Sequence, residues 1–269
     1  MKNINILGLL VFYGLAAGVQ FGLRHGGLDF YDHMDWPFLQ MFAVAVLFLG
    51  GSIAVAAFVS WIIFGPQNRT SSLFGTKPLL AVLMAIVPII VVAVLGYEND
   101  FEMNPHLAGA AMAALLVFYA LSEEIGWRGY MNDALSPVPY IVRGLLIGVA
   151  WWAWHFSFLD EGSTMQEQIQ LLAILTATSF LFISIIGMSR SWLSVAAFHS
   201  VANIGMLAGA FDVPTNKRLL MGGIALVILI AIHSYWQHGD KSMPIRPPAN
   251  LKQKKLRETH NLMGGLLFM

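Results

Sequence analysis

The feature that most constrains this chain is a succession of eight apolar stretches, each long enough, or nearly so, to cross a membrane. A helix needs about 20 residues to span the ~30 Å of hydrocarbon in a bilayer. The predicted spans are Ile4–Leu23, Phe38–Phe64, Leu79–Gly96, Leu107–Tyr130, Ile141–Leu159, Leu171–Met188, Trp192–Phe211 and Leu219–Trp236. The sequence therefore predicts an all-α fold: a polytopic membrane helical bundle with about eight transmembrane helices.

Composition supports a membrane protein and excludes several function classes. Hydrophobic residues make up 57% of the chain and charged residues 11%, with a mean hydropathy of +0.68. Soluble domains carry about 25% charged residues. The formal net charge of zero gives no indication of a nucleic-acid partner. Because the chain has no cysteine, disulfides, thiolate zinc sites and cysteine nucleophiles are excluded.

The chain is predicted to form one transmembrane helical-bundle domain over residues 1–238, followed by a polar tail over residues 239–269. The tail is rich in proline and then basic, which is typical of a flexible segment or one that lies on a membrane surface. Its basic residues are Lys252, Lys254, Lys255 and Arg257.

The first apolar stretch has an alternative interpretation as a cleaved signal peptide. Lys2 precedes its apolar core and small residues, Ala16 to Gly18, follow. The apolar run continues to Leu23 and further spans come after it, which favours a membrane span.

The distribution of basic residues predicts an orientation. Excess Lys and Arg mark cytoplasmic loops. Even-numbered loops and the tail carry such residues, whereas the third and fifth loops have none. We expect an integral protein of the plasma membrane with both termini in the cytoplasm, although Arg24 and the pair Lys217-Arg218 oppose this bias.

The fourth apolar stretch ends in a charged segment, Leu121–Tyr130, with two adjacent carboxylates, Glu123 and Glu124. An ionisable side chain at the centre of a membrane helix costs at least ~2.5 kcal/mol, so such residues are usually paired or functional. Arg128 lies four residues after Glu124, the spacing at which helix side chains meet. Glu123 is offset by about 100° and is predicted to be free for other contacts.

Polar residues inside two later apolar stretches are candidate partners for these carboxylates. His155 follows the tryptophan-rich sequence that begins at Trp151, and His199 and Asn203 share one helix face. At 1.5 Å per residue, Glu123 and His155 are predicted to lie at similar depth, with His199 and Asn203 somewhat nearer the even-numbered loops. All of these groups are expected to meet inside the bundle.

The ordered motifs EExxxR, aromatic-xxx-His and HxxxN resemble those of the CPBP (Abi) family, over roughly residues 72–209. Its members are CAAX proteases and bacteriocin-processing enzymes, and the resemblance implies an intramembrane glutamate endopeptidase. Glu123, Glu124 and Arg128 match the first motif in full, and His199 and Asn203 match the third in full. His155 matches the second, except that Trp151 stands where a phenylalanine is usual.

Hydrolysis of a peptide bond requires a base for water, donors for the oxyanion and a proton for the departing amine. A glutamate in apolar surroundings is suited to be a base near neutral pH, so Glu123 is predicted in that role. His155 is predicted to hold the water or to shuttle a proton. His199 and Asn203 are predicted to donate to the oxyanion. A structural pair, Glu124 and Arg128, is expected to support the site, with no cofactor and no metal. The resemblance implies the same division of labour.

Alternatives remain open at this stage. Two Glu and two His could bind zinc, although the chain lacks HExxH and asparagine is a poor zinc ligand. A non-catalytic scaffold, immunity protein or transporter is the third possibility, because intramembrane His and Asn often bridge helices. The tryptophans around Trp151 would by themselves indicate packing or an interface belt. The expected partners are the bilayer and a membrane-associated peptide or protein of unspecified identity.

Overall fold

The computed structural model describes residues 4–23, 25, 38–65, 68–99, 102–155, 163–206 and 213–241. Within them, the α-helices and a π-helix follow one another, and the only β-type pairing is an isolated bridge between Ser72 and Ser191. The helices are α1 Ile6–Gly22, α2 Phe38–Phe64, α3 Pro78–Leu95, α4 Pro105–Glu124, the π-helix Ile125–Met131, α5 Asn132–Ala134, α6 Tyr140–His155, α7 Met165–Ser189, α8 Trp192–Met206 and α9 Thr215–Lys241. The predicted all-α bundle is confirmed.

The predicted spans correspond to these helices to within a few residues at most ends. The prediction Phe38–Phe64 coincides with α2. The fourth span is longer than predicted, because the helical chain runs without interruption from Pro105 to Ala134. The predicted ends at Leu159 and Phe211 and the basic residues of the tail lie outside the described residues.

Local sequence explains where two of these helices begin. Asn104 caps α4, where its Oδ1 accepts hydrogen bonds from the backbone nitrogens of His106 and Leu107, and Pro105 occupies the first turn. Thr164 and Glu167 form a reciprocal capping box at the start of α7. Such caps satisfy backbone donors that a helix leaves without partners.

The described side chains place apolar residues outside and charged residues inside. Large hydrophobic side chains such as Ile62 (83% exposed) and Leu79 (71%) cover the surface, whereas several ionisable residues are almost fully buried. Among the described helices, four are long and apolar enough to cross a membrane, and shorter apolar helices include α1 and most of α8. This distribution is that of an integral membrane protein, because lipid is the solvent for the exposed surface.

Packing places α4 at the centre of the helices that carry the motifs. It packs against α2, α3 and α8, while α6 packs against α7 and α1 packs against α2. Met1–His233 form one compact unit, and Ser234–Met269 form a second, of which residues 234–241 are described. The predicted domain boundary after residue 238 stays a prediction.

Loop contacts join the end of the α4 rod, the continuous helical segment Pro105–Ala134, to the turn between α7 and α8. The carboxylate of Asp133 accepts bonds from the backbone nitrogen and the hydroxyl of Thr70 (3.0 and 2.7 Å) and from the hydroxyl of Ser71 (3.1 Å). The Ser72 nitrogen donates to the Arg190 carbonyl at 2.9 Å. These contacts bring three even-numbered loops together at one end of the protein.

Candidate active site

The charged segment departs from α-helical winding immediately after the two glutamates. Residues Ile125–Met131 form a π-helix, where the sequence predicted one continuous α-helix. Gly126 allows this segment to pack closely, because a Cβ there would lie 2.3 Å from Ile53 Cγ2. π-Helical turns inserted in α-helices occur frequently at functional sites.

Glu124 forms the predicted contact with Arg128 and a second one that the sequence did not predict. Its Oε1 accepts from Arg128 Nη1 at 3.0 Å and lies 2.8 Å from His199 Nδ1. Glu124 and Arg128 are fully buried, and His199 is nearly so. The first and third motifs therefore meet at one carboxylate oxygen.

Arg128 is enclosed by aromatic rings as well as paired. Its Cζ lies 4.4 Å from the centroid of Trp151 and 4.8 Å from that of Phe182, and its Nη2 donates to Ser179 at 3.4 Å. Aromatic faces attract a guanidinium most strongly where water is excluded. Ser179 and Phe182 carried no sequence signal, because a single Ser and Phe are ordinary in an apolar helix such as α7.

Glu123 contacts α6 and not the partners that Glu124 binds directly. Its Oε2 accepts a hydrogen bond from Trp151 Nε1 at 2.9 Å, and both side chains are 2% exposed. The sequence marked Trp151 only as an aromatic substitute for phenylalanine. The indole N–H group, which phenylalanine lacks, was the sequence signal for a hydrogen-bond donor to a buried carboxylate.

His155 lies one turn beyond Trp151 on α6. Its Nδ1 is 2.8 Å from the Trp151 carbonyl, and its ring is 5.9 Å from that of Trp151. A carbonyl only accepts, so Nδ1 carries a proton, and Nε2 is an acceptor when the ring is neutral. The described contacts of Glu123 and His155 converge on Trp151, which also packs against the His199 ring at 5.3 Å.

Asn203 lies one turn after His199 on α8. Its Nδ2 is buried and has no hydrogen-bond partner among the described residues. A buried amide donor without a partner costs free energy, which a substrate oxygen could offset. Across the described residues, no three His, Cys, Asp or Glu side chains are arranged to bind one metal ion.

Fold and site together define the class: a helical integral membrane protein with a buried, paired set of ionisable residues. Residues 105–205 match the family described as type II CAAX prenyl endopeptidase Rce1-like. Over 141 residues the chain is 28% identical to CAAX prenyl protease 2 of Methanococcus maripaludis, covering 48% of this chain and 49% of that protein. The chain thus spans about half the length of this curated relative.

Over this segment the chain is similar to CAAX-type proteases, and the resemblance that the three motifs predicted is confirmed. The matched segment begins at the first residue of α4 and ends within α8. It includes Glu123, His155, His199 and Asn203, the residues predicted to be catalytic.

Proposed function

We propose that this protein is an intramembrane endopeptidase of the CAAX type, in which Glu123 activates a water molecule to hydrolyse a peptide bond. One observation carries the proposal: the two adjacent buried glutamates have different partners. Glu124 is bound to the cation Arg128 and to His199, whereas Glu123 accepts from a neutral indole. A carboxylate without a paired cation is suited to take up and release a proton.

The geometry supports a sequence of proton transfers. Glu123 uses Oε2 for the bond with Trp151, so its other oxygen, Oε1, takes the proton from water. Nε2 of His155, the acceptor nitrogen, orients that water. The resulting hydroxide adds to the carbonyl carbon, and Glu123 then gives its proton to the amide nitrogen as the C–N bond breaks.

His199 and Asn203 stabilise the oxyanion in this proposal. In this proposal Nδ1 of His199 donates to Glu124, at 2.8 Å, and Nε2 donates to the oxyanion, which requires the imidazolium form of the ring. The unpaired Asn203 Nδ2 supplies a second donor. Preorganised donors of this kind stabilise developing charge strongly in a site without water.

The substrate class follows from the relative whose printed name is CAAX prenyl protease 2. We propose a membrane-associated peptide or protein that carries a prenylated C-terminal CAAX sequence. The plasma membrane is the proposed location. The proposed mechanism uses no metal and no cofactor.

The decisive experiment measures cleavage of an internally quenched, farnesylated CAAX peptide by the purified full chain in detergent. Glu123→Gln keeps the size of the side chain and removes the proton acceptor. We expect at least ~100-fold lower activity, the low end for loss of general-base catalysis, with an unchanged melting temperature. Near-normal turnover by this variant would refute the proposal.

A metal control accompanies the same assay. Activity should survive treatment with phenanthroline or EDTA followed by dialysis. Stoichiometric zinc, with activity lost on stripping and restored on addition of zinc, would establish the zinc-protease alternative instead.

A further inference from the structure

The Trp151 side chain lies against four ionisable residues of the site, which come from α4, the π-helix, α6 and α8: Glu123, Arg128, His155 and His199. Its indole nitrogen donates to Glu123 at 2.9 Å, and its ring packs against Arg128 at 4.4 Å. The rings of His155 and His199 lie 5.9 and 5.3 Å from its ring. The side chain is 2% exposed, so the contact with Glu123 is shielded from solvent.

An indole nitrogen only donates a hydrogen bond and does not titrate, and unlike the guanidinium of Arg128 it carries no charge. Its bond therefore holds the Glu123 carboxylate without exchanging a proton with it. Because the bond occupies Oε2, it fixes the plane of the carboxylate and directs Oε1 elsewhere. The guanidinium of Arg128 stacks on the indole ring and restricts its rotation.

A phenylalanine at position 151 could not form this bond, because a phenyl ring has no N–H group. It would keep an aromatic ring beside Arg128 and the histidines and leave Glu123 Oε2 without its donor. The indole N–H is therefore the part of Trp151 that a phenyl ring does not replace.

We propose that Trp151 is a positioning residue, whose indole N–H holds the Glu123 carboxylate in the orientation that accepts a proton from water. This inference rests on the proposed function, because it assigns a role relative to Glu123 as the base. It concerns the rate of the chemical step and not the binding of the peptide.

Two variants separate the hydrogen bond from packing. Trp151→Phe removes the N–H group and part of the ring. Replacing Trp151 by benzothienylalanine substitutes sulfur for the N–H group and preserves the bicyclic shape. The matched control is Trp192→Phe, because Trp192 is also buried (4% exposed) and its indole donates to Ser71 Oγ at 2.7 Å. All proteins are assayed with the farnesylated CAAX peptide, and their folding is checked by thermal unfolding.

For both Trp151 variants we expect kcat to fall about tenfold, equivalent to ~1.4 kcal/mol, with KM unchanged. The control should retain the wild-type kcat. A merely structural role predicts a different pattern, in which the bicyclic analogue restores the activity that Trp151→Phe loses. That pattern would overturn the inference, as would a wild-type kcat in both variants or a rise in KM alone.

Different results would contradict the proposed function and the positioning role of Trp151. If Glu123→Gln is inactive while both Trp151 variants keep the wild-type kcat, only the positioning role is wrong. If Glu123→Gln retains turnover, or the wild-type protein leaves the farnesylated peptide intact, the proposed function fails and the positioning role fails with it.

Discussion

At the scale of single residues, the site is a set of buried charges that neutralise one another. Glu124 lies between Arg128 and His199, with separations of 3.0 and 2.8 Å, and none of the three is substantially exposed. Transfer of such charges into a membrane interior is costly, so the loss of one partner exposes the remaining charge to the full penalty.

Arg128→Ala tests this dependence. Removal of the guanidinium leaves Glu124 with His199 as its remaining hydrogen-bond partner among the described residues, and a broken buried pair typically costs ~3–5 kcal/mol. We expect a clearly lower melting temperature in detergent, with activity lost as a consequence. Removal of Glu124 together with Arg128 should recover part of the stability.

The matched control for Arg128 is Arg69→Ala. Arg69 also lies over two aromatic rings, Trp61 at 5.5 Å and Trp192 at 5.2 Å, but its side chain is exposed. An exposed cation–π contact contributes about 0.5–1 kcal/mol, so this change should have a small effect. An Arg128→Ala protein that is as stable as the parent yet inactive would instead assign Arg128 to substrate binding.

At the scale of elements, the sequence predicted the helices and the residues that meet, but not how the charged segment winds. Spacing within one helix was sufficient for Glu124 with Arg128. The bond between Glu123 and Trp151 and the contact of Glu124 with His199 join separate helices, so they depend on packing that no local pattern encodes. The predicted meeting of Glu123 with His155 takes a different form, because Trp151 lies beside both.

The π-helix was not predictable for a related reason. Its sequence, IGWRGYM, has no proline or capping signal, and its two glycines lie against other helices. The Asp133 contacts with Thr70 and Ser71 connect residues more than 60 positions apart and likewise had no signal in the sequence. The close approach of the π-helix to Phe12 of α1 and Ile53 of α2 likewise depends on packing and not on a local pattern.

Gly126→Ala tests that packing. The added Cβ would lie 2.3 Å from Ile53 Cγ2 and 3.1 Å from the Phe12 ring, and both neighbours are fully buried. Overpacking of this kind typically costs 1–3 kcal/mol, which thermal unfolding measures. Gly187→Ala on α7 is the control, because a Cβ there meets nothing within 4 Å. Equal melting temperatures for the two variants would contradict the packing described around Gly126.

At the scale of the whole molecule, the loops give the orientation a structural basis. The contacts of Asp133 with Thr70 and of Ser72 with Arg190 place the second and sixth loops and the end of the α4 rod at one end of the protein. The even-numbered loops carry Arg69, Lys77, Arg143 and Arg190, whereas the third loop contains Glu98 and Glu102 and no Lys or Arg; Arg24 and the pair Lys217-Arg218 oppose this bias. The positive-inside rule then predicts that the even-numbered end is cytoplasmic.

Labelling of single cysteines tests this orientation directly, because the chain has no cysteine and needs no background substitutions. The two test variants are Thr76→Cys, in the second loop, and Glu98→Cys, in the third. Both residues are exposed, and they lie at opposite ends of α3. A membrane-impermeant maleimide added to intact cells should label Glu98→Cys and leave Thr76→Cys unlabelled until the cells are lysed. The parent protein should remain unlabelled throughout. The reverse pattern would invert the orientation, and labelling of both positions in intact cells would show that α3 does not cross the membrane.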